Sequence, residues 1–312
     1  MAKVLFYNSF FGQQPDLSHV KPELRTNFCF ERDEILTADA VVFHVPDLAV
    51  GRPPIPDFLA LKKKAGQIWI AWSMESSVNY PVMNARAFRK RIDLTMNFRR
   101  DADIWAPYVP WRSEWEQAIA APIPQKNATS PLVRFQSAPD NKSNRYEFAE
   151  RLSKYIQLDS YGKVLKNREF PSPDKGRITK LEILSNYKFC LSLENAIEDD
   201  YVTEKFFDPL IGGTVPVYRG ARNVAEFAPD PTCYIDASAF RDERELADYL
   251  VYLDHDDAAY AKYFAWRQTS LQDKFIELLD RANSNSFERL LRKVEDRKSR
   301  PFLQNWLERF FR

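Results

Sequence analysis

Short apolar runs alternate with amphipathic stretches along most of the chain. Residues 3–7 (Lys-Val-Leu-Phe-Tyr), 40–45 (Ala-Val-Val-Phe-His-Val) and 67–72 (Gln-Ile-Trp-Ile-Ala-Trp) are each closed by polar or turn residues. Continuous apolar runs of this length predict parallel strands buried on both faces. A helical stretch around 54–64 lies between the second and the third. Residues 121–144 then break the rhythm with Pro122, Pro124, Pro131 and Pro139, leaving room for one short strand at Leu132–Phe135. A second alternation follows: helix near 145–155, strand at Leu158–Tyr161, helix at 178–185, strand at Tyr187–Glu194, helix at 203–211, strand at Thr214–Tyr218. Residues 242–254 and 256–280 have helical spacing, and 286–312 has it with an interruption at Pro301. Strand–helix alternation on both sides of a break predicts an α/β fold of two halves with a cleft between them. The expected boundaries are 1–130, 131–285 and a helical tail at 286–312. No internal repeat competes with this division.

Composition adds two constraints. With 45 basic and 44 acidic residues the net charge is +1, which argues against a nucleic-acid binder. Cys29, Cys190 and Cys233 form no C-x-x-C pair and are expected to be unpaired thiols, which suits a reducing compartment. The first residues lack the apolar length of a signal peptide, and no stretch approaches the ~20 apolar residues of a membrane span. The expected location is cytoplasmic. The basic and aromatic residues of the tail leave open a peripheral contact with an anionic membrane, against the plainer alternative of helices packed on the domains.

The most informative segment is Leu193–Asp208, where a strand runs through a polar loop into a helix opening near Thr203. The first turn of such a helix offers N–H donors and positive potential to a phosphate. Lys205 adds a full charge, Glu204 can accept hydrogen bonds from ribose or sugar hydroxyls, and Tyr201 offers a ring and a hydroxyl at the entrance. The plain alternative is that Thr203 caps the helix and Glu204 and Lys205 form a surface pair.

The run Tyr187-Lys-Phe-Cys-Leu-Ser-Leu-Glu-Asn195, then Tyr201-Val-Thr-Glu-Lys205, then Gly213-Thr-Val-Pro-Val-Tyr218 and Gly220 resembles the signature of the α-1,3/4-fucosyltransferases, glycosyltransferase family 10. Asn144-Arg145 with Glu147-Phe148, Thr95–Ile104, Pro107-Tyr108 and Met74-Glu-Ser-Ser77 extend the likeness over about residues 70–290. The resemblance implies two Rossmann-like domains facing across a cleft, the GT-B architecture, and inverting transfer from GDP-fucose. It implies that Arg145 and Lys205 hold the diphosphate, that Tyr201 and Glu204 contact phosphate, ribose or fucose, that Thr203 belongs to the same donor site, and that Asn195 lies near the guanine. Glu75 would be the general base. The implied acceptor is an N-acetyllactosamine-like glycan, fucosylated at O3 of GlcNAc or Glc. Ser77, Val109, Phe98 and Ala102 depart from the family pattern, mostly in the acceptor half.

Inverting displacement needs one base at the acceptor hydroxyl and positive charge on the leaving diphosphate. Arg145, Lys205 and the N-terminus of the helix near 203 are expected to supply that charge without a metal or other cofactor. Asp101-Ala102-Asp103 matches the D-x-D pattern of metal-dependent transferases, but the neighbouring arginines favour a local salt-bridge network. Glu198-Asp199-Asp200 is expected to be a solvated loop, and His44 a satisfied core histidine. Three alternatives remain open: another nucleotide sugar as donor, a non-catalytic sugar-binding relative, and an adaptor working through the basic tail.

Overall fold

A computed structural model describes residues 1–48, 55–138, 142–269 and 271–299. The chain divides into two compact units: Met1–Pro107 with the segment from Ser284 on, and Tyr108–Asn283. Each is an α/β unit built on one parallel sheet.

The first sheet holds β1 (Val4–Phe6), β2 (Phe28–Cys29), β3 (Ala40–His44), β4 (Ile68–Ser73), β5 (Leu94–Asn97) and β6 (Ile104–Trp105), in the order β2-β1-β3-β4-β5-β6. Strands β3 and β4 are buried along their whole length. One face packs Val4, Phe6, Val42 and Ile70, and the other Leu5, Val41, Phe43 and Trp69. That two-sided burial is why these strands read as unbroken apolar runs.

The second sheet holds β7 (Leu132–Gln136), β8 (Leu158–Gly162), β9 (Phe189–Leu193), β10 (Val215–Arg219) and β11 (Ile235–Asp236), ordered β11-β10-β9-β7-β8. Its order reverses direction between β7 and β9. In open parallel sheets that switch point opens a crevice at the carboxyl ends of the strands, where ligands bind. Helices Arg145–Leu152 and Glu243–His255 cover the face carrying Leu132, Leu158, Leu191 and Val217. Helix Arg177–Ser185 covers the other face through Ile183 and Leu184, against Val133 and Cys190.

Three features differ from the sequence expectation. The second unit begins at Tyr108, because Trp115 of helix Arg112–Ala120 packs edge-to-face against Phe207, Trp266 and Phe275 of that unit. The helical stretch expected over 256–280 is three pieces: Asp257–Ala261, a 3₁₀ segment Lys262–Arg267, and Asp273–Ala282. Helix Ser286–Ser299 belongs to the first unit: Phe287, Leu290, Leu291 and Val294 form an apolar stripe in the core with Phe6 and Trp72. Phe287 meets those two rings edge-on at 5.2 and 5.4 Å. The apolar face of this helix is therefore occupied, and the expected interruption at Pro301 lies outside the described residues. Among the described residues no helix is long and apolar enough to cross a membrane, and all three thiols are unpaired.

Candidate functional site

In the second unit, β9 ends at Leu193 and the next residue, Glu194, is completely buried. Its carboxylate accepts from the Thr203 backbone N–H and the Thr203 hydroxyl, both at 2.8 Å. Thr203 is the N-cap of helix Glu204–Ile211, and its Oγ1 in turn accepts from the Lys205 backbone N–H at 3.3 Å and Nζ at 3.0 Å. Lys205 Nζ lies 3.5 Å from Glu194 Oε2 and 3.0 Å from Glu204 Oε1. Thr203 thus caps the helix and also joins Glu194 to Lys205.

This wiring alters the expected phosphate site. The positive end of the helix already meets the Glu194 carboxylate, and two of the first N–H groups are taken by that carboxylate and the cap. Charge for an anionic ligand therefore comes mainly from side chains. Burial by itself would lower the Lys205 pKa, but the Glu194 and Glu204 carboxylates outweigh it and hold the ammonium above its ordinary value. Burial pushes the Glu194 carboxyl up, with Lys205 opposing.

Arg145 reaches the same place from β7. It opens helix Arg145–Leu152 behind Asn144, whose φ of 55° bends the chain in the left-handed region. The Arg145 side chain is buried, and Nη2 donates to the Ala138 carbonyl at 3.1 Å. Its charge repels Lys205. Ser143 Oγ donates to the Glu194 carbonyl at 2.5 Å, and Arg219 Nη1 donates to the Ser143 carbonyl at 2.7 Å, so the loop before Arg145 is fastened to the end of β9.

The remaining predicted donor residues sit on this frame. Asn195 follows Glu194 and is buried. Tyr201 is 1% exposed, with its ring edge-on to Tyr108 at 6.2 Å, so it is a packed wall and not an open entrance. The Tyr218 hydroxyl donates to the Tyr201 carbonyl and accepts from Ala221 N–H. Gly220 makes this possible: a Cβ there would meet Glu194 Cγ at 2.5 Å and collide with the Tyr218 hydroxyl. At the far side of the helix, Asp208 accepts from Arg177 Nε at 2.8 Å and Lys180 Nζ at 2.9 Å, which fixes the helix beneath the site.

Glu75 lies in the first unit, on a turn after the carboxyl end of β4. The Ser73 hydroxyl accepts from Glu75 N–H at 3.1 Å and donates to the Glu75 carbonyl at 2.9 Å. The side chain is half-buried. Next to it, the carboxyl edge carries Phe10 stacked on Trp72 at 4.7 Å and the His44 ring 4.7 Å from Phe10.

Two fucosyltransferase family models match the chain. The C-terminal model of glycosyltransferase family 10 (fucosyltransferase) matches residues 123–306, and the fucosyltransferase N-terminal model matches residues 1–109. The chain belongs to glycosyltransferase family 10. Among curated family relatives, a GDP-fucose protein O-fucosyltransferase 3 of Canis lupus familiaris is 34% identical over 68% of this chain and 47% of its own length. A putative fucosyltransferase-like protein of Arabidopsis thaliana is 35% identical over 77% of this chain and 45% of its own. A 4-galactosyl-N-acetylglucosaminide 3-alpha-L-fucosyltransferase of Gorilla gorilla gorilla is 36% identical over 78% and 63%. The chain spans about half the length of the curated relatives it matches. A crystal structure of an α1,3-fucosyltransferase shares the fold, with a TM-score of 0.63, 16% identity and coverage of 94% and 90%. The same enzyme type with GDP-fucose gives 0.62 at 15% identity, covering 96% and 90%.

The other acidic candidates of this family member are held locally. Asp101 pairs with Arg99 Nε at 3.0 Å, and Asp103 Oδ2 accepts from Thr95 N–H at 2.9 Å and its hydroxyl at 3.1 Å. Asp103 thereby ties the start of β5 to the start of β6. Asp199 pairs with Arg222, and Asp200 exchanges hydrogen bonds with Asn223. His44 is buried in β3 with Nδ1 3.1 Å from Asp47, but its Nε2 has no hydrogen-bond partner among the described residues. The histidine expected to be satisfied is satisfied on one nitrogen only.

Sequence reasoning missed the part Glu194 plays. It was visible only as one letter of the motif, because a buried and a solvated carboxylate look alike in a sequence. It also passed over Arg134 and Gln136 in β7, whose side chains are buried.

Proposed function

We propose that the protein transfers L-fucose from GDP-β-L-fucose to a hydroxyl of a carbohydrate acceptor, with inversion at the anomeric carbon. The acceptor oxygen forms the new bond to C1, the bond from C1 to the β-phosphate oxygen breaks, and GDP leaves with the electron pair. Glu75 takes the acceptor proton. Lys205 and Arg145 meet the charge developing on the diphosphate, a task that suits fixed cations held in place before reaction. Asn195, Tyr201, Thr203 and Glu204 shape the nucleotide and fucose subsites. The observation that carries this reading is the gathering of Lys205, Arg145 and the Glu194–Thr203 clasp at the carboxyl end of β9. Membership of family 10, and the relatives named for GDP-fucose, support the choice of donor.

Charge on the diphosphate is met by side chains, so turnover should persist in excess EDTA. Strict dependence on an added divalent ion would overturn this assignment of the charge. The favoured acceptor is an N-acetyllactosamine-like glycan, with transfer to O3 of GlcNAc or Glc. A second acceptor class, a protein hydroxyl, is favoured by the relative whose name is protein O-fucosyltransferase 3. Incubation of the purified protein with GDP-fucose, EDTA and a panel of N-acetyllactosamine, lactose and Ser/Thr peptides tests both. Fucosylated disaccharide with an α-linkage is expected. Product on peptide alone moves the acceptor to protein, and turnover only with another nucleotide sugar rejects the donor.

A further inference from the structure

Strand β7 carries an arginine in its interior. Arg134 lies on the face of Leu132, which packs against the Arg145–Leu152 and Glu243–His255 helices, and it is 2% exposed. A buried guanidinium normally has a carboxylate beside it, because an unpaired charge in the interior is costly. Arg134 has no ion-pair partner among the described residues. Nη2 donates to Gln136 Oε1, and Nη1 is buried without a hydrogen-bond partner among them. Gln136 Nε2 donates to the Ala138 carbonyl at 3.1 Å, the same carbonyl that accepts from Arg145 Nη2 at 3.1 Å. Gln136 thus fixes one side of the guanidinium and connects it to the frame that holds Arg145. Burial, reinforced by repulsion from Arg145, lowers the Arg134 pKa to about 10.

The position in the sheet says where this charge acts. Arg134 and Gln136 stand in the carboxyl half of β7, past Val133 where its pairing with β9 ends, on one of the two strands that flank the switch point of the second sheet; on the other side they pair with Ser160 and Gly162 of β8. Glu194, Asn195 and Lys205 come from the end of β9 and the helix after it. Arg134 is repelled by Arg145, which in turn repels Lys205, and one donor of Arg134 is unused among the described residues.

We propose that Arg134, positioned by Gln136, is a second arginine for the donor's diphosphate, with Nη1 donating to a β-phosphate oxygen. This rests on the GDP-fucose reading above and adds a residue to it. Arginine suits the role because its planar fork keeps one edge for Gln136 while another donor serves the ligand. The uncompensated cation costs stability in the protein alone and is compensated when the dianion arrives.

The test uses the double variant Arg134→Met/Gln136→Leu, which removes both partners of the internal hydrogen bond and leaves apolar groups of similar size. Its thermal melting and its calorimetric affinities for GDP and GMP are compared with wild type. GDP binding by the wild type reports on the donor reading, and only the difference between the proteins reports on Arg134. The expected result is a melting temperature equal to or above wild type, GDP binding at least tenfold weaker, and a smaller loss for GMP, which lacks the second phosphate. Unchanged GDP affinity would overturn the proposal. So would equal losses for GDP and GMP, which would move Arg134 to the α-phosphate, the ribose or the base. A lower melting temperature or a failure to fold would also overturn it, since the pair would then be a structural tie.

Discussion

At the carboxyl edge of the second sheet, charges are buried and share partners. Glu194, Thr203 and Lys205 form one hydrogen-bonded unit, and Ser143 fastens the loop before Arg145 to it. The same edge of the first sheet has a different character. Glu75 sits on a turn held by Ser73, just past the end of β4, and the strand ends there pack the buried rings of His44 and Trp72 with Phe10. A diphosphate carries concentrated charge and rewards cations fixed in advance, whereas an acceptor hydroxyl asks for a single base. The second edge should therefore respond to mutation as a coupled network, and the first through one residue acting on the rate.

The largest expected effect is at Glu75. Glu75→Gln should cut turnover by ~10²–10⁴, the usual worth of a positioned base, with GDP binding nearly unchanged. A loss confined to the acceptor KM would make Glu75 an orienting group, and the comparison would lose its catalytic half. Next comes the buried pair. Lys205→Met leaves Glu194 without its cation and should destabilise the fold by ~3 kcal/mol, while Glu194→Gln in the same protein should restore much of that. Additive losses in chemical denaturation would show that the network is not coupled.

Gly220→Ala forces a methyl against Tyr218 and Glu194 and should cost ~1–3 kcal/mol by the same measurement. A neutral effect would mean that Glu194 and Tyr218 give way easily. The smallest effect concerns acid stability. Burial works to raise the Glu204 pKa, but Lys205 and Lys180 outweigh it and draw it from 4.5 to about 2. A depressed carboxylate stabilises the fold above its unfolded pKa and loses that contribution as pH falls through the folded value. Melting temperature should therefore drop between about pH 4.5 and 2, and Glu204→Gln should flatten that limb. An unchanged limb would assign the drop to other acids.

Long strands buried on both faces were legible because their composition is their signal: β3, β4 and β9 lie within a residue or two of the expected runs. The two-residue strands at Phe28–Cys29, Ile104–Trp105 and Ile235–Asp236 were not, since two residues carry no periodicity. The apolar stripe at Phe287–Val294 was visible, but a stripe does not say which sheet it covers. Lys205 and Thr203 were legible from the strand–loop–helix motif. The burial of Glu194 and Arg134 was not, because burial arises from contacts made far along the chain. Ser143 reaches Glu194 across 51 residues.

The central proposal is that side-chain cations of the second unit bind GDP and that Glu75 of the first is the base. Calorimetric titration of GDP, in EDTA, into wild type, Glu75→Gln and Lys205→Ala tests it most directly. The account predicts that Glu75→Gln binds within about twofold of wild type and that Lys205→Ala binds at least tenfold more weakly, the worth of a lost charge-assisted hydrogen bond. Equal losses in the two variants, unchanged binding in a folded Lys205→Ala, or GDP binding that appears only with an added divalent ion would contradict it.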